Sequence, residues 1–427
     1  MIATIVIAAI TCIDMMAAIL FKPTITIKGH SVGTYWMITC VGALIMLIAN
    51  LVPFDVAMKS LIAQSAINPI KILVIFISLA LISIYLDEIG FFKYIANEAL
   101  KHSKESQFRL FFILYAVVSI LTIFTSNDII ILTFTPFICF FCKNAKINPI
   151  PYLVSEFIAA NTWSMFLEIG NPTNIYLATS ESIGFIEYIK VMWLPTLLAG
   201  LTSFSVLVLL FYKSLKAKIE NPIIEDVNIK DMGALIIGIV HLGICIIGLA
   251  ISSYIHIEMY LIALGSAFSL FICATVYNLV KKNELEDEVQ TLKRAPYELI
   301  PFVLSMFIIV EALSYQGVTD KMFELLNVGH LNIVYGISSA IAANFLNNIP
   351  MSVLYSAILA DGTTNSAIFS AIVGSNIGAF LTPIGALAGI MWANTLKKND
   401  IRFNYLDFIK YGVLDGVPTL LVALLLL

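Results

Sequence analysis

Charge is scarce in this chain. Asp, Glu, Lys and Arg make up 12% of its 427 residues, while 60% are hydrophobic, and the mean hydropathy is +0.95. A soluble protein of this size has nowhere to hide so much apolar side chain, so part of its solvent is lipid. Long polar stretches are missing too, which leaves no room for a separate soluble domain. No basic patch stands out and the formal net charge is −4, which argues against nucleic acid as a partner. There is no H-E-x-x-H, no G-x-S-x-G and no Asp pair in a recognised motif, so little supports an intramembrane enzyme. No nucleotide-binding P-loop is present; a drive by ATP would need a separate ATPase subunit. Lys and Arg are absent before Lys22, and Asp14 interrupts the first apolar run, so that run reads as a retained span rather than a signal peptide. Cysteine is sparse, with six residues scattered in apolar segments. Cys139-Phe-Phe-Cys142 has C-x-x-C spacing, but a redox or metal role requires exposure or further ligands, and packing is the simpler reading.

What is present is a series of apolar runs. A helix needs about 20 apolar residues to cross a hydrocarbon core about 30 Å thick. Residues 1–21, 33–53, 70–87, 186–212, 233–251, 256–280, 298–315 and 404–427 meet that need. Residues 109–143, 150–181, 331–361 and 367–395 are long apolar stretches interrupted in the middle. The distribution of Lys and Arg decides how they are threaded, since these residues collect on the cytoplasmic side. If 109–143 and 331–361 are re-entrant hairpins entering from opposite sides, and the N-terminus lies outside, then 19 of the 24 Lys and Arg fall inside. Making 109–143 a full crossing would move Lys143 and Lys146 outside. The same threading inverts the two halves, because the charge before each hairpin alternates: four positive residues in 88–109 against one in 316–330. The chain therefore reads as an all-α polytopic membrane protein of two inverted-topology repeats, 1–213 and 233–427, joined by a polar linker at 214–232. Each repeat holds a re-entrant helical hairpin and a broken transmembrane helix, with about 10–12 membrane segments in all.

The interruptions repeat. Asn161-Thr-Trp-Ser-Met-Phe-Leu-Glu-Ile-Gly170 runs into Asn171-Pro172-Thr173-Asn174, and Asn376-Ile-Gly-Ala-Phe-Leu-Thr382-Pro383-Ile384-Gly385 follows Ser375. In both, an Asn is followed nine residues later by Gly with Ile just before it. Each is preceded by a second polar break, Thr125-Ser126-Asn127-Asp128 in the first half and Asn344-Phe-Leu-Asn347-Asn348-Ile-Pro350 in the second. Non-helical backbone at membrane depth survives only when buried in protein or lining a wet cavity. Gly and Pro weaken or stop a helix there. The N–H groups freed at new helix starts suit an anion and the freed carbonyls suit a cation. Single amides commonly glue spans together. Four amide clusters at matched positions point instead to a site that binds and releases a cargo.

At these residues the chain resembles the ion transporter superfamily, above all the arsenite/antimonite efflux permease family and its anion-permease relatives, including the divalent anion:sodium symporters. Thr135-Pro136, Ala343-Asn-Phe-Leu-Asn-Asn-Ile-Pro350 and Gly374-Ser-Asn-Ile-Gly378 share in that likeness, which covers most of the chain. The resemblance implies hairpin tips marked by Asn127 and Asn348, and broken helices marked by Asn161 with Gly170–Asn174 and by Asn376 with Thr382–Gly385. Such tips meet at the substrate site and bind the transported anion or oxyanion and, in symporters, sodium. The expected binding residues are thus Thr125, Ser126, Asn127, Asn161, Thr162, Gly170, Asn171, Thr173, Asn174, Asn344, Asn347, Asn348, Ser375, Asn376, Thr382 and Gly385. Gly170–Asn174 follows the broader anion-permease pattern more closely than the arsenite one, and Glu168 stands where the family is usually apolar or hydroxylic.

Acids at membrane depth are costly and draw functional readings. Asp128 at a hairpin tip and Glu168 just before Gly170 are the coupling-ion candidates, able to carry a proton or help hold sodium. Asp14 and Glu156 read as partners of polar groups on neighbouring spans, Glu311 and Asp415 as lying near span ends, and His241 and His256 as flanking a span. The leading function is a secondary active transporter for a small anion or oxyanion, of arsenite/antimonite, inorganic or carboxylate type, coupled to protons or sodium by alternating access. A sodium/proton antiporter, without anion, is the alternative, and an intramembrane enzyme a distant one. No cofactor is expected beyond the coupling ion. The partners expected are the lipid bilayer, the substrate and a second copy of the chain. Its Ile-, Lys- and Asn-rich usage fits a prokaryotic cell membrane.

Overall fold

The computed structural model describes residues 1–27, 30–62, 68–103, 105–219, 229–359 and 364–427. The first half runs α1 (Ile2–Phe21), a two-stranded antiparallel hairpin of β1 (Thr24–Ile27) and β2 (His30–Gly33), α2 (Tyr35–Ile48), α3 (Phe54–Ile62), α4 (Pro69–Glu88), α5 (Phe91–Ser103), α6 (Gln107–Phe124), α7 (Asn127–Asn144), α8 (Ile150–Trp163), a single 3₁₀ turn (Glu168–Gly170), α9 (Pro172–Ser180) and α10 (Phe185–Leu215). The second half runs α11 (Met232–Ile255), α12 (Met259–Lys281), α13 (Glu286–Arg294), α14 (Leu299–Tyr315), α15 (Val318–Leu326), α16 (Leu331–Leu346), α17 (Asn348–Leu359), α18 (Asn365–Gly378), α19 (Leu387–Lys398) and α20 (Tyr405–Leu424). The chain is thus nearly all helix, with the β1–β2 hairpin as its one departure among the described residues. Part of the expected linker, residues 220–228, lies outside the described residues, as do Lys28, Lys104 and residues 360–361 of the second hairpin segment.

Among the described residues, seven helical stretches are long and apolar enough to cross a membrane: α1, α4, α6, α10, α11, α12 and α13–α14. Their ends follow local chemistry. Asn68 accepts from the amides of Ile70 and Lys71 at 2.9 and 3.1 Å, with Pro69 opening α4. Asp231 does the same for Gly233 and Ala234 at the start of α11. Such caps satisfy the amides that a helix start leaves free. The turn from α4 to α5 uses Gly90 at φ 88°, and the turn from α14 to α15 uses Gly317 at φ 68°. Both angles favour glycine.

The two halves share one order of elements: two helices and a short one, a longer helix and a short one, a helix pair, a broken helix, and a closing helix. The packing follows the same scheme. α2 lies on α14 and α12 on α4; α9 lies on α17 and α19 on α7; α10 lies on α20. The core is continuous from α1 to α20. Its outer face is apolar, with Ile244 and Ile247 of α11 and Phe268 and Leu279 of α12 exposed, as lipid-facing residues are.

Three expectations of polar placement are corrected. His241 is not at a span end: it is buried midway along α11, with Nδ1 2.7 Å from Ile237 O and Nε2 3.1 Å from Ser269 Oγ, because α11 continues to Ile255 and ends at His256 in the left-handed region (φ 52°). Asp415 is fully buried halfway along α20, since Gly412 and Gly416 let that stretch press against residues 380–381. Asp14 is exposed on the outer face of α1, whose buried stripe runs through Thr4, Ala8, Thr11 and Met15 instead. Glu156 keeps its expected role: it accepts from Thr135 Oγ1 at 2.9 Å and from Trp392 Nε1 at 3.3 Å. Glu311 is half-buried one turn before the end of α14. Cys139 and Cys142 are buried and free.

Candidate cargo site at the helix breaks

All four interruptions are real breaks. α6 ends at Phe124, and Thr125 and Ser126 are extended or irregular before α7 starts at Asn127. α16 ends at Leu346, and Asn347 takes φ 75° and ψ 151° before α17 starts. α8 ends at Trp163, and α9 begins with Pro172 at its first position. α18 ends at Gly378, and α19 resumes at Leu387.

The matching Asn-to-Gly spacing has a common physical cause. The ninth residue folds back onto the start of its own break. A Cβ on Gly170 would lie 2.4 Å from Ser164 O, and one on Gly385 would lie 2.8 Å from Gly378 O and 2.9 Å from Ala379 O. Only glycine leaves room for such carbonyls, and in both halves the doubled-back strand buries its own polar groups.

The expected site residues are drawn into three linked groups. Asn127 at the first tip donates from Nδ2 to Asn161 Oδ1 at 3.1 Å, tying the first hairpin to the first broken helix. Thr382 Oγ1 donates to Asn344 Oδ1 at 2.6 Å, Asn347 Nδ2 to Ile384 O at 3.3 Å, and the Asn348 amide to Gly385 O at 2.9 Å, tying the second hairpin to the second break. Asn376 joins the halves. Its Oδ1 accepts from Ser164 Oγ and from Asn171 Nδ2, both at 2.8 Å, and its Nδ2 donates to Asn174 Oδ1 at 2.6 Å. Ser164 was not among the expected residues, although it lies inside the Asn161–Gly170 run that signalled the break.

Most of these side chains are buried, while Asp128, Asn344 and Thr382 are partly accessible. Several polar atoms among them have no hydrogen-bond partner: Ser126 Oγ, Asn127 Oδ1, Thr162 Oγ1, Thr173 Oγ1 and Ser375 Oγ. Thr125 Oγ1 is spent on Leu121 O at 2.7 Å. Glu168 accepts from Thr179 Oγ1 at 3.2 Å through one oxygen, and its other oxygen is unpartnered. Buried groups without partners cost free energy. Six such atoms, counting Glu168 Oε2, lie at or beside the breaks.

Four helices, α7, α9, α17 and α19, begin at the breaks. α7 packs beside α19 and α9 beside α17. Asn171 caps α9 through Thr173 N at 3.2 Å, whereas α7 and α19 have no side-chain cap. Each start carries a partial positive charge of roughly half an elementary unit. No Lys, Arg or His stands among the expected site residues. Among the described residues, no group of three or more His, Cys, Asp or Glu gathers to hold a metal. What the site offers is amides, hydroxyls, carbonyls and helix starts.

Broken helices, paired tips and a lipid-facing exterior define a polytopic membrane transport protein. Residues 15–369 match the family model described as citrate transporter (CitMHS). The chain belongs to that family. It is 26% identical to the arsenical pump membrane protein of Escherichia coli (strain K12), over 96% of this chain and 97% of that protein. It is 25% identical to the putative arsenical pump membrane protein of Bacillus subtilis (strain 168), over 81% and 84%. The fold matches the crystal structure of the Alcanivorax borkumensis YdaH transporter with a TM-score of 0.57, covering 99% of this chain and 97% of that one, at 12% identity.

Proposed function

We propose that the protein is a secondary active transporter that carries a small anion or oxyanion across a prokaryotic cell membrane, driven by a proton or sodium gradient. The residues around Asn127, Asn161, Asn348 and Asn376 hold the cargo, and alternating access moves it. The repeats run 1–213 and 233–427 with opposed orientation and the N-terminus outside, as the Lys and Arg distribution favours. The observation that carries the reading is the set of helix starts at paired breaks, lined by neutral amides and hydroxyls of which several are unpartnered. Helix starts stabilise negative charge without a fixed cation, which allows release as well as binding.

The same lining bears on the cargo. A tricarboxylate such as citrate brings charge that Lys or Arg ordinarily balances, and neither is among the site residues. A compact oxyanion, or its hydroxylated acid, asks for the short donors and acceptors that are present. The arsenical pump relatives favour that choice over the citrate of the family's name.

Purified protein in liposomes tests the reading. Uptake of arsenite, sulfate, phosphate, dicarboxylates and citrate is measured under imposed proton or sodium gradients. Gradient-dependent accumulation of one small oxyanion is the expected result. Proton flux driven by sodium alone, with no anion moved, would establish the antiporter instead.

A further inference from the structure

Away from the amide cluster, α20 buries a carboxyl group that none of the breaks contains. Asp415 is fully buried. One oxygen accepts only a long bond, 3.4 Å from Thr419 Oγ1 on the same helix, and its Oδ2 has no partner. α20 packs on α10, where Ser203 lies beside the carboxyl group. Ser203 Oγ is itself buried and unpartnered, and so is Thr196 Oγ1 two turns earlier on α10. Asp415 Oδ2 and the Ser203 hydroxyl beside it are thus buried with their hydrogen-bonding capacity unused.

Among the described residues, no Lys, Arg or His pairs with Asp415. On α10, Lys190 and Lys213 are 13 and 10 residues from Ser203, about 15–20 Å along the helix. α16 and α18 carry no charged residue. Tyr335 of α16 packs against Tyr355. Glu156 of α8 is turned to Thr135 and Trp392, and Tyr152 to Gln107. On α20 itself Lys410 is exposed. α6 contributes Tyr115, whose hydroxyl donates to Gly200 O at 2.7 Å. An uncompensated buried charge at this depth costs several kcal/mol. Ser203 suits both forms: its hydroxyl accepts from a protonated Oδ2, and after rotating it donates to an ionised one.

α20 lies against the second break, and Ser203 connects to the first through Tyr115 and Trp163. A Cβ on Gly412 would lie 2.1 Å from Phe380 O, and one on Gly416 would lie 2.6 Å from the Leu381 side chain, so α20 rests directly on the second break. Ser203 also neighbours Tyr115, and Tyr115 accepts from Trp163 Nε1 at 3.3 Å. Trp163 is the last residue of α8, next to Ser164, which donates to Asn376.

We propose that Asp415 with Ser203 forms a proton-binding site behind the paired breaks, and that loading and unloading it couples the proton gradient to cargo movement. The proton is taken from water by Oδ2 on one side of the membrane and returned to water on the other. This rests on the secondary-transport reading above, so one of its two tests is independent of any cargo.

The first test is pH-difference infrared spectroscopy of the reconstituted protein. A titrating carboxylic C=O band is expected in the native protein, absent in Asp415→Asn and displaced in Ser203→Ala. Spectra that do not distinguish the three proteins overturn the proposal, whether or not arsenite is carried. The second test uses arsenite in liposomes. Asp415→Asn is expected to lose accumulation driven by a pH gradient by about tenfold or more while keeping arsenite exchange at equal pH. Full gradient-driven accumulation in that variant overturns the proposal. If Asp415→Asn does not fold, Ser203→Ala decides: it keeps the carboxyl group, and both its band and the pH midpoint of its transport must move.

Discussion

Asn376 shows what one amide does at the centre of this molecule. It accepts from Ser164 and Asn171, and it donates to Asn174 Oδ1 and to Ile372 O at 2.8 Å. Both ends of the amide are used, so the side chain has one orientation. Asn376→Ala removes the partner of two buried donors and two acceptors, at about 1–3 kcal/mol for each group left unpaired. Asn376→Asp keeps the acceptor for Ser164 and Asn171 but turns an oxygen toward Asn174 Oδ1 and Ile372 O. Both variants are expected to lose transport in liposomes, with lower melting temperatures in detergent. Native transport in either would remove Asn376 from the site. This residue was legible in the sequence because an amide beside Gly and Pro is conspicuous in an apolar run. Asp415 and His241 were not, because a linear pattern gives depth along a helix but not the neighbour it faces. The unpartnered Ser203 beside Asp415 belongs to another helix, more than two hundred residues away in sequence.

At the scale of elements, the most extensive helix–helix contact among the described residues is between the second hairpin arm and the second broken helix. A Cβ on Gly374 would lie 2.0 Å from Ser339 Oγ and 2.2 Å from Gly336 O; one on Gly378 would lie 2.7 Å from both Cα and O of Ala340. Gly374 and Gly378 on α18 thus face Gly336 and Ala340 on α16, each pair four residues apart. Small residues at that spacing let membrane helices approach at backbone distance, where van der Waals packing replaces the hydrophobic drive that lipid cannot supply. The obstacles are mostly backbone or Cα atoms, so there is little to move aside. Gly374→Val and Gly378→Val are expected to separate α16 from α18, pull Asn344 away from Gly378 O, its acceptor at 2.9 Å, and cost more than about 3 kcal/mol each by overpacking. Melting temperature and transport of the purified variants check this, and a valine variant with native values would show that the arms can part freely. The breaks and hairpins could be read from the sequence because Gly, Pro and amides punctuate them. The short helices α3, α5, α13 and α15 could not: each has only 9 to 13 residues, and their mixed polarity passes for the loop between two spans.

Across the whole molecule, two layers of interaction differ in kind. On the side where α4, α12 and α13 meet, charged groups bind those elements into one block. Arg294 pairs with Glu88 and, at 2.7 Å, with Asp87; Lys230 pairs with Asp287 at 2.9 Å; Lys281 pairs with Asp231 at 3.1 Å. Burial opposes the charged form of Asp231, but Tyr277, Lys281 and the amides of Ala234 and Gly233 outweigh it and hold its pKa down to about 2. Across the gap lies α7, an arm of the first hairpin. The two are separated by a cavity of about 530 Å³ lined by Asp87, Lys93, Thr133, Phe137 and Lys230. Thr133 Oγ1 reaches over to Asp87 Oδ1 at 3.1 Å, the one side-chain hydrogen bond from α7 to that block among the described residues. A single neutral–charged bond is worth about 1.5–3 kcal/mol, little enough to break and remake in each cycle. Under the alternating access proposed above, the hairpin would shift against the charged block, and the bridged cavity is where we place that shift. Cysteines at positions 87 and 133, in a background without the native cysteines, joined by a short bifunctional thiosulfonate, are therefore expected to stop transport, with activity returning when a reductant cleaves the link. Unchanged transport with cross-linking complete would mean that α7 and α4 stay together throughout the cycle, and the moving part would then have to be sought between α18 and α20 instead.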